Sequence, residues 1–315
     1  MRNQSVFVAG ARGLVGSAVV RKLESAGHQK LLTPEHAELD LTDQAAVRRF
    51  FKAEHPELVF LSAGAVGGIQ ANATHQADFL YENLMIAANV IRAAADFGTE
   101  KLLYLGSSCA YPRMAPQPMR ESVLLGGPLE KTNEGYAIAK IAGVKLCEMF
   151  HRQYGKRFIS AMPANLYGPF DNFHPTGSHV IPGMMRRFHE AKIAGAREVI
   201  VWGSGTPRRE FLHVDDLAEA LYVLMQQYEE AETINVGTGE DVTIVELAAM
   251  MKSATDLHAA IVFDRSKPDG TPRKLLDVSR IRELGWKPEI PLAQGLADTY
   301  RWASENVFHA PLTVG

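Results

Sequence analysis

The run SVFVAGARGLVGSAVVRKLESAG, residues 5–27, constrains what this chain can fold into more than any other. A short apolar stretch enters it, Gly10, Gly13 and Gly16 punctuate it, and a helix-forming stretch leaves it. Glycines at this spacing, between a strand and a helix, let backbone N–H groups approach a diphosphate at the helix N-terminus. A simple strand–helix turn does not need three of them. The segment therefore predicts a dinucleotide-binding unit whose cofactor loop comprises Gly10, Ala11, Arg12, Gly13, Leu14, Val15 and Gly16.

The alternation continues downstream. QKLLT, ELVFLSAG, KLLYLG and RFISAMP read as strands, separated by helices over 43–55, about 73–97 and about 133–154. These strands are continuous apolar runs rather than alternating ones, as strands covered on both faces should be. The expected fold class is α/β, a Rossmann-type doubly wound parallel sheet with a smaller C-terminal substrate-binding α/β lobe. From about residue 170 the regularity breaks. GPFDNFHPTGSHVIPG reads as a functional loop or an ordered crossover, and VIVWG, TINVG and AIVFD as later strands, with helices near 214–228 and 243–254. The expected division is 1–169 with 211–236 returning to it as the cofactor domain, and 170–210 with 237–315 as the lobe.

Composition narrows the function class. Of 315 residues 46% are hydrophobic and 22% charged, with a formal charge of −3 and no basic block, so nucleic acid is not an expected partner. No apolar run is long enough to span a membrane, and the N-terminus enters a strand without a signal-peptide core. Two cysteines, Cys109 and Cys147, are too few for a disulfide framework, and a reducing, cytoplasmic setting is expected.

A dinucleotide lacking a 2′-phosphate is read by an acid at the end of the second strand. Here LLTPEHAELD puts Thr33 and Pro34 at that tip, with Glu35 just beyond. Arg12 in the glycine loop and His36 after the second strand can both face a 2′-phosphate, which a guanidinium fork grips well. NADP(H) is the expected cofactor. The bland reading of His36 is a solvated loop histidine.

Two further stretches carry chemistry. In YAIAK, Tyr136 and Lys140 stand at i and i+4 of a helix and reach the same side. The neighbouring ammonium is expected to lower the phenol from its usual value near ~10, making it a proton donor or acceptor. Ser107, at a strand end in GSSCAYP, would hydrogen-bond the substrate oxygen that Tyr136 protonates. A lone Tyr-x-x-x-Lys is common on surfaces; the glycine loop and strand-end serine before it give it meaning. Cys109 follows two serines, although an unpaired cysteine is ordinarily a small buried hydrophobe. Cys147 lies about 16 Å along the helix from Tyr136 and reads as core.

The order Gly10–Gly13–Gly16, Ser107, Tyr136, Lys140 resembles the extended short-chain dehydrogenase/reductase family. The segments GSSCAYP, NEGYAIAKIAG, NLYGPFDNFHP, SHVIP, VWGSGTPRREFLHVDD and KPDGTPRKLLDV extend that resemblance over nearly the whole chain, to its nucleotide-sugar epimerase–reductases. It implies a GDP-sugar substrate with a ketone at C4, epimerised at C3 and C5 and reduced at C4 with NADPH. Cys109 would be the base and His179 the acid, the thiol needing a shift toward thiolate and the imidazole titrating near neutrality. Implied cofactor contacts, beyond the loop, are His36, Asp40, Leu41, Leu105, Gly106, Ser107, Ser108, Lys140, Pro163, Ala164, Asn165, Leu166 and His179. Implied substrate contacts are Arg187, Trp202, Arg209 and Asp269, the last with a bland reading as part of a turn. His174 is a second candidate donor that matches the pattern less well. No metal is expected, since an aspartate of HVDD (His213, Asp215, Asp216) reads as a helix N-cap. The helices near 73–97 and 133–154 would pair in a homodimer. The alternatives are a related GDP-dideoxyhexose synthase, a simple GDP-hexose 4-reductase, or a non-catalytic NADP-binding sensor. A sensor would have no use for the complete Ser107, Tyr136, Lys140 set.

Overall fold

In the computed structural model, which describes residues 2–308 apart from 176 and 268, strands form where the apolar runs lie. Thr176 of the Gly/Pro-rich loop, Pro268 of KPDGTPR and residues 309–315 of the expected lobe lie outside the described residues. From the N-terminus come β1 (Val6–Ala9), α1 (Leu14–Ser25), β2 (Leu31–Leu32), α2 (Gln44–Glu54) and β3 (Leu58–Leu61). Next are α3 (Ile69–Thr74), α4 (Gln76–Asp96), β4 (Lys101–Leu105), α5 (Glu134–Tyr154) and β5 (Arg157–Pro163). Every residue of β1, β3 and β4 is buried, as in strands covered on both faces.

The second half begins with β6 (Asn165–Tyr167), α6 (Val180–Ile193), β7 (Glu198–Trp202), β8 (Arg208–Arg209) and β9 (Phe211–His213). Then α7 (Val214–Gln227) and β10 (Ile234–Val236) return to the first sheet. The chain closes through β11 (Val242–Thr243), α8 (Ile244–Thr255), β12 (Ala260–Asp264), β13 (Arg273–Lys274), α9 (Ser279–Glu283) and α10 (Leu292–Asn306).

The main sheet has the order β10-β5-β4-β3-β1-β2, every pair parallel. Helix α1 packs on α7, while α2, α4 and α5 pack side by side. Chain order reverses between β1 and β3, and the crevice beyond the carboxyl ends of strands at such a point is where ligands bind in sheets of this kind. A second core, including Tyr167, Phe188, Leu247, Met251 and Leu296, joins α6, α8 and α10. Three small sheets complete the second half: β7–β12, β6–β9 and β11–β8–β13.

Helix α6 begins inside the stretch read from sequence as a loop. Pro182 and Gly183 look like breakers, but Pro182 sits in the first turn, where its missing N–H is one the helix leaves unbonded anyway. Gly295 similarly hides α10: a side chain there would strike the Tyr167 ring, so glycine is a packing requirement.

Candidate active site

Gly10 has φ of 83° and lies against Ala63, where an added Cβ would come within 2.9 Å of the backbone. At Gly16 an added Cβ would approach the Gly10 carbonyl to 2.0 Å. These two glycines close the turn. Gly13 has no such crowding; it is the N-cap of α1 and offers no side chain to cap the first N–H groups. A helix start presented bare at a glycine cradle has the donor set a dinucleotide diphosphate requires, so the cofactor fits. Arg12 forms an ion pair with Glu35, and both side chains are well exposed, so the contact is weak and exchangeable. His36 is exposed; the Asp40 carboxylate accepts from the N–H and hydroxyl of Thr42, and the Leu41 carbonyl accepts from Asn89.

At the carboxyl end of β4, Gly106 donates its N–H to Ala161 at 2.8 Å, and Ser107 starts a 3₁₀ turn over Ser108–Ala110. Ser107 Oγ accepts the Cys109 N–H at 3.2 Å. Lys140, 3% exposed, donates to the Leu105 carbonyl at 3.0 Å and lies between the Tyr104 and Tyr136 rings, 5.2 and 5.6 Å from their centroids. Burial lowers its pKa to about 8. Tyr136 reverses the direction read from sequence. Burial and then the charge of Cys109 raise its pKa, with only a hydrogen bond from Ser107 opposing them. The Lys140 ammonium, spent on a carbonyl, does not offset this. The phenol is therefore held in its protonated, donating form.

Cys109 is half-buried and free. Lys274 Nζ donates to its Sγ at 3.4 Å. Burial alone would raise the thiol, but the charge of Lys274, hydrogen bonds from Ser107 and Lys274, and the charge of Arg209 outweigh it and draw the pKa below its ordinary value. Cys147 is completely buried in α5 and its thiol is pushed up by burial.

The second half of the molecule supplies the remaining residues. His179 is the N-cap of α6; it reaches solvent, yet the protein crowded around it lowers its pKa by desolvation. The Arg187 guanidinium lies 5.1 Å from the centroid of the half-exposed Trp202 ring, with Lys267 at 5.6 Å. Arg209 feels the charges of both Cys109 and Asp269, which join the thiol to this cluster. Asp269 accepts the Ser204 N–H at 2.6 Å and so fixes the turn after Trp202. Asn165 donates to the Glu210 carbonyl, and Ala164 donates its N–H to Val236. Pro163 ends β5 and Leu166 lies in β6, beside them. His174 lies in the exposed loop before α6. In HVDD the cap of α7 is His213, whose ring nitrogen accepts from Asp215 N–H; Asp216 instead holds the N–H groups of Glu289 and Ile290.

Sequence reasoning missed Lys274 and Glu210. Glu210, 1% exposed, accepts the N–H groups of Gly239 and Leu276 at 2.7 and 2.8 Å, tying two distant loops to the end of β8. Lys274 lies in, and Glu210 directly follows, a strand of two residues, too short for any periodicity to register.

The model of the NAD dependent epimerase/dehydratase family matches residues 6–237. A protein of Oryza sativa subsp. japonica named "Probable GDP-L-fucose synthase 1" is 58% identical over 97% of this chain and 93% of its own length. The "GDP-L-fucose synthase" of Escherichia coli K12 is 56% identical over 97% of this chain and 98% of its own. The crystal structure of a GDP-L-fucose synthetase from Naegleria fowleri bound to NADP is 29% identical. It superimposes with a TM-score of 0.90 over 98% of this chain and 97% of that one.

Proposed function

The chain belongs to the NAD dependent epimerase/dehydratase family, and from that premise we propose that it converts GDP-4-keto-6-deoxy-D-mannose to GDP-L-fucose, with NADPH as reductant. It is an NADP-dependent oxidoreductase that is also an epimerase. The observation that carries this reading is the charge-paired thiol of Cys109 placed beside a complete Ser107, Tyr136, Lys140 set.

Protons on C3 and C5 are acidified by the C4 ketone. The Cys109 thiolate takes one of them: the C–H bond breaks, an S–H bond forms, and the electron pair moves to O4 as an enolate. Ser107 and Tyr136 hydroxyls offer hydrogen bonds to that oxygen. His179 returns a proton to the opposite face of the carbon, inverting the centre. The lowered pKa of His179 makes its imidazolium a stronger acid while shortening the pH range over which it is charged. After both inversions Tyr136 gives its proton to O4, and Lys140 keeps the phenol aligned. When bound, NADPH supplies the hydride to C4.

Gly10, Gly13 and Gly16 would hold the cofactor diphosphate, and Arg12, now paired with Glu35, would hold its 2′-phosphate. Arg187 and Arg209 take the diphosphate of the GDP-sugar, and Trp202 lies against its base. Residues 1–169 with 211–236 act as the cofactor domain, and the remainder as the substrate lobe. Exposed Tyr81 and Leu84 on α4, with Ile138, Met149 and Tyr154 on α5, form the face of a homodimer. A thiolate that must stay reduced suits the cytoplasm. No helix among the described residues is long and apolar enough to cross a membrane.

Incubation with GDP-4-keto-6-deoxy-D-mannose and NADPH should give a product inverted at C3 and C5 and reduced at C4. A 4-reduced sugar with both centres unchanged would reduce the protein to a 4-reductase.

A further inference from the structure

Strands β8 and β13 place four cations in a parallel ladder two residues long, with Arg273 opposite Arg208 and Lys274 opposite Arg209. Neighbouring residues on a strand point to opposite faces. On one face Arg208 and Arg273 share the carboxylate of Asp241, whose side chain is 4% exposed, at 2.7 and 2.5 Å. On the other face stand Arg209 and Lys274. Among the described residues no carboxylate forms an ion pair with Lys274; its ammonium donates to Cys109 Sγ instead. The ladder thus sorts its charge: Asp241 offsets part of the charge of one pair, and the other pair is left toward the thiol. The position of Lys274 is fixed on both sides. The Glu210 N–H donates to the Lys274 carbonyl, and the buried Glu210 carboxylate accepts the Leu276 N–H two residues on.

We propose that Lys274 is the positioning residue of the epimerisation half: its hydrogen bond and charge at Sγ favour ionisation of Cys109. The groups facing Cys109 are Lys274 from β13, Arg209 from β8, Tyr136 from α5 and Ser107 from its own turn. Only Lys274 among these is a cation in hydrogen-bond contact with sulfur. Arg209, which feels the charges of both Cys109 and Asp269 and makes no hydrogen bond to the sulfur, is left for the substrate diphosphate. The catalytic consequence rests on the reading of Cys109 as base.

The test separates the two. Iodoacetamide alkylation of Cys109, followed by peptide mass against pH in the substrate-free protein, reports thiolate directly, with buried Cys147 as the silent control. Lys274→Met should move the alkylation curve to higher pH and slow alkylation at pH 7 roughly tenfold, the gap between a cation-paired and a free thiol. Lys274→Arg should restore most of it. A Lys274→Met curve that overlays wild type overturns the proposal. So does a wild-type midpoint at or above ~8.5, the value of a free thiol, which decides the matter even if the variant fails to fold. Solvent deuterium exchange into C3 and C5 should fall in step with alkylation. If alkylation shifts while exchange keeps its wild-type rate, the lysine–thiol pair stands and Cys109 is not the base.

Discussion

Lys140 and Lys274 serve one site but are held in opposite ways. Lys140 is sunk in α5, between two tyrosine rings and a carbonyl, with a pKa of about 8. Its partners Ser107 and Tyr136 come from β4's end and the same helix, elements that pack directly on one another. Lys274 reaches Cys109 from 165 residues away, on a two-residue strand anchored by Glu210 and Asp241. The set proposed for reduction is thus built locally, whereas the pair proposed for epimerisation exists only where the second half of the chain lies against the first. Burial suits a lysine that aligns a neutral phenol; a thiolate instead needs an uncommitted cation, which the ladder keeps by spending Asp241 elsewhere.

The sharpest way to split the halves is Cys109→Ser. A hydroxyl does not ionise near neutral pH, so deuterium exchange at C3 and C5 should fall by roughly 10⁴-fold, the upper range for a positioned base. NADPH binding should be unchanged, and a 4-reduced, uninverted sugar should accumulate slowly. Wild-type exchange in this variant would return Cys109 to a packing role and dissolve the comparison.

Tyr136→Phe is the converse. Reduction should drop about 10²–10³-fold, since water can replace the phenol poorly as proton donor, while exchange at C3 and C5 persists. Near-normal NADPH oxidation would show that another group protonates O4. Loss of exchange to the same extent would show that the two halves are one unit.

Arg12→Ala should have the smallest effect. It lies on the locally built side and should weaken NADPH about tenfold, the low end of ~1.5–3 kcal/mol for a charged hydrogen bond, because Arg12 must first leave Glu35. NADH affinity and exchange at both carbons should not change. Equal weakening of NADPH and NADH in a fluorescence titration would assign Arg12 to the loop's shape instead.

The set proposed for reduction was legible because its signals are local. A strand–glycine–helix junction, a strand-end serine and an i, i+4 tyrosine and lysine each occupy a few consecutive residues, and the covered strands around them are continuous apolar runs. Cys109 was legible as unusual, through its serine neighbours. What surrounds each group was not. The protonated state of Tyr136 depends on burial and on the nearby thiol, so a helix spacing alone gave the wrong sign. Lys274, Glu210 and Asp241 lie in segments of two or three residues whose partners are distant in the chain, and no pattern of period two can appear in two residues. The parallel α/β architecture, the glycine turn and the candidacy of Tyr136 as proton donor were readable from sequence, because strand patterning, turn geometry and helix spacing act over a few consecutive residues. Which cation meets the thiol follows from long-range packing, since it rests on a strand ladder and an electrostatic pairing that exist once the two halves are in contact.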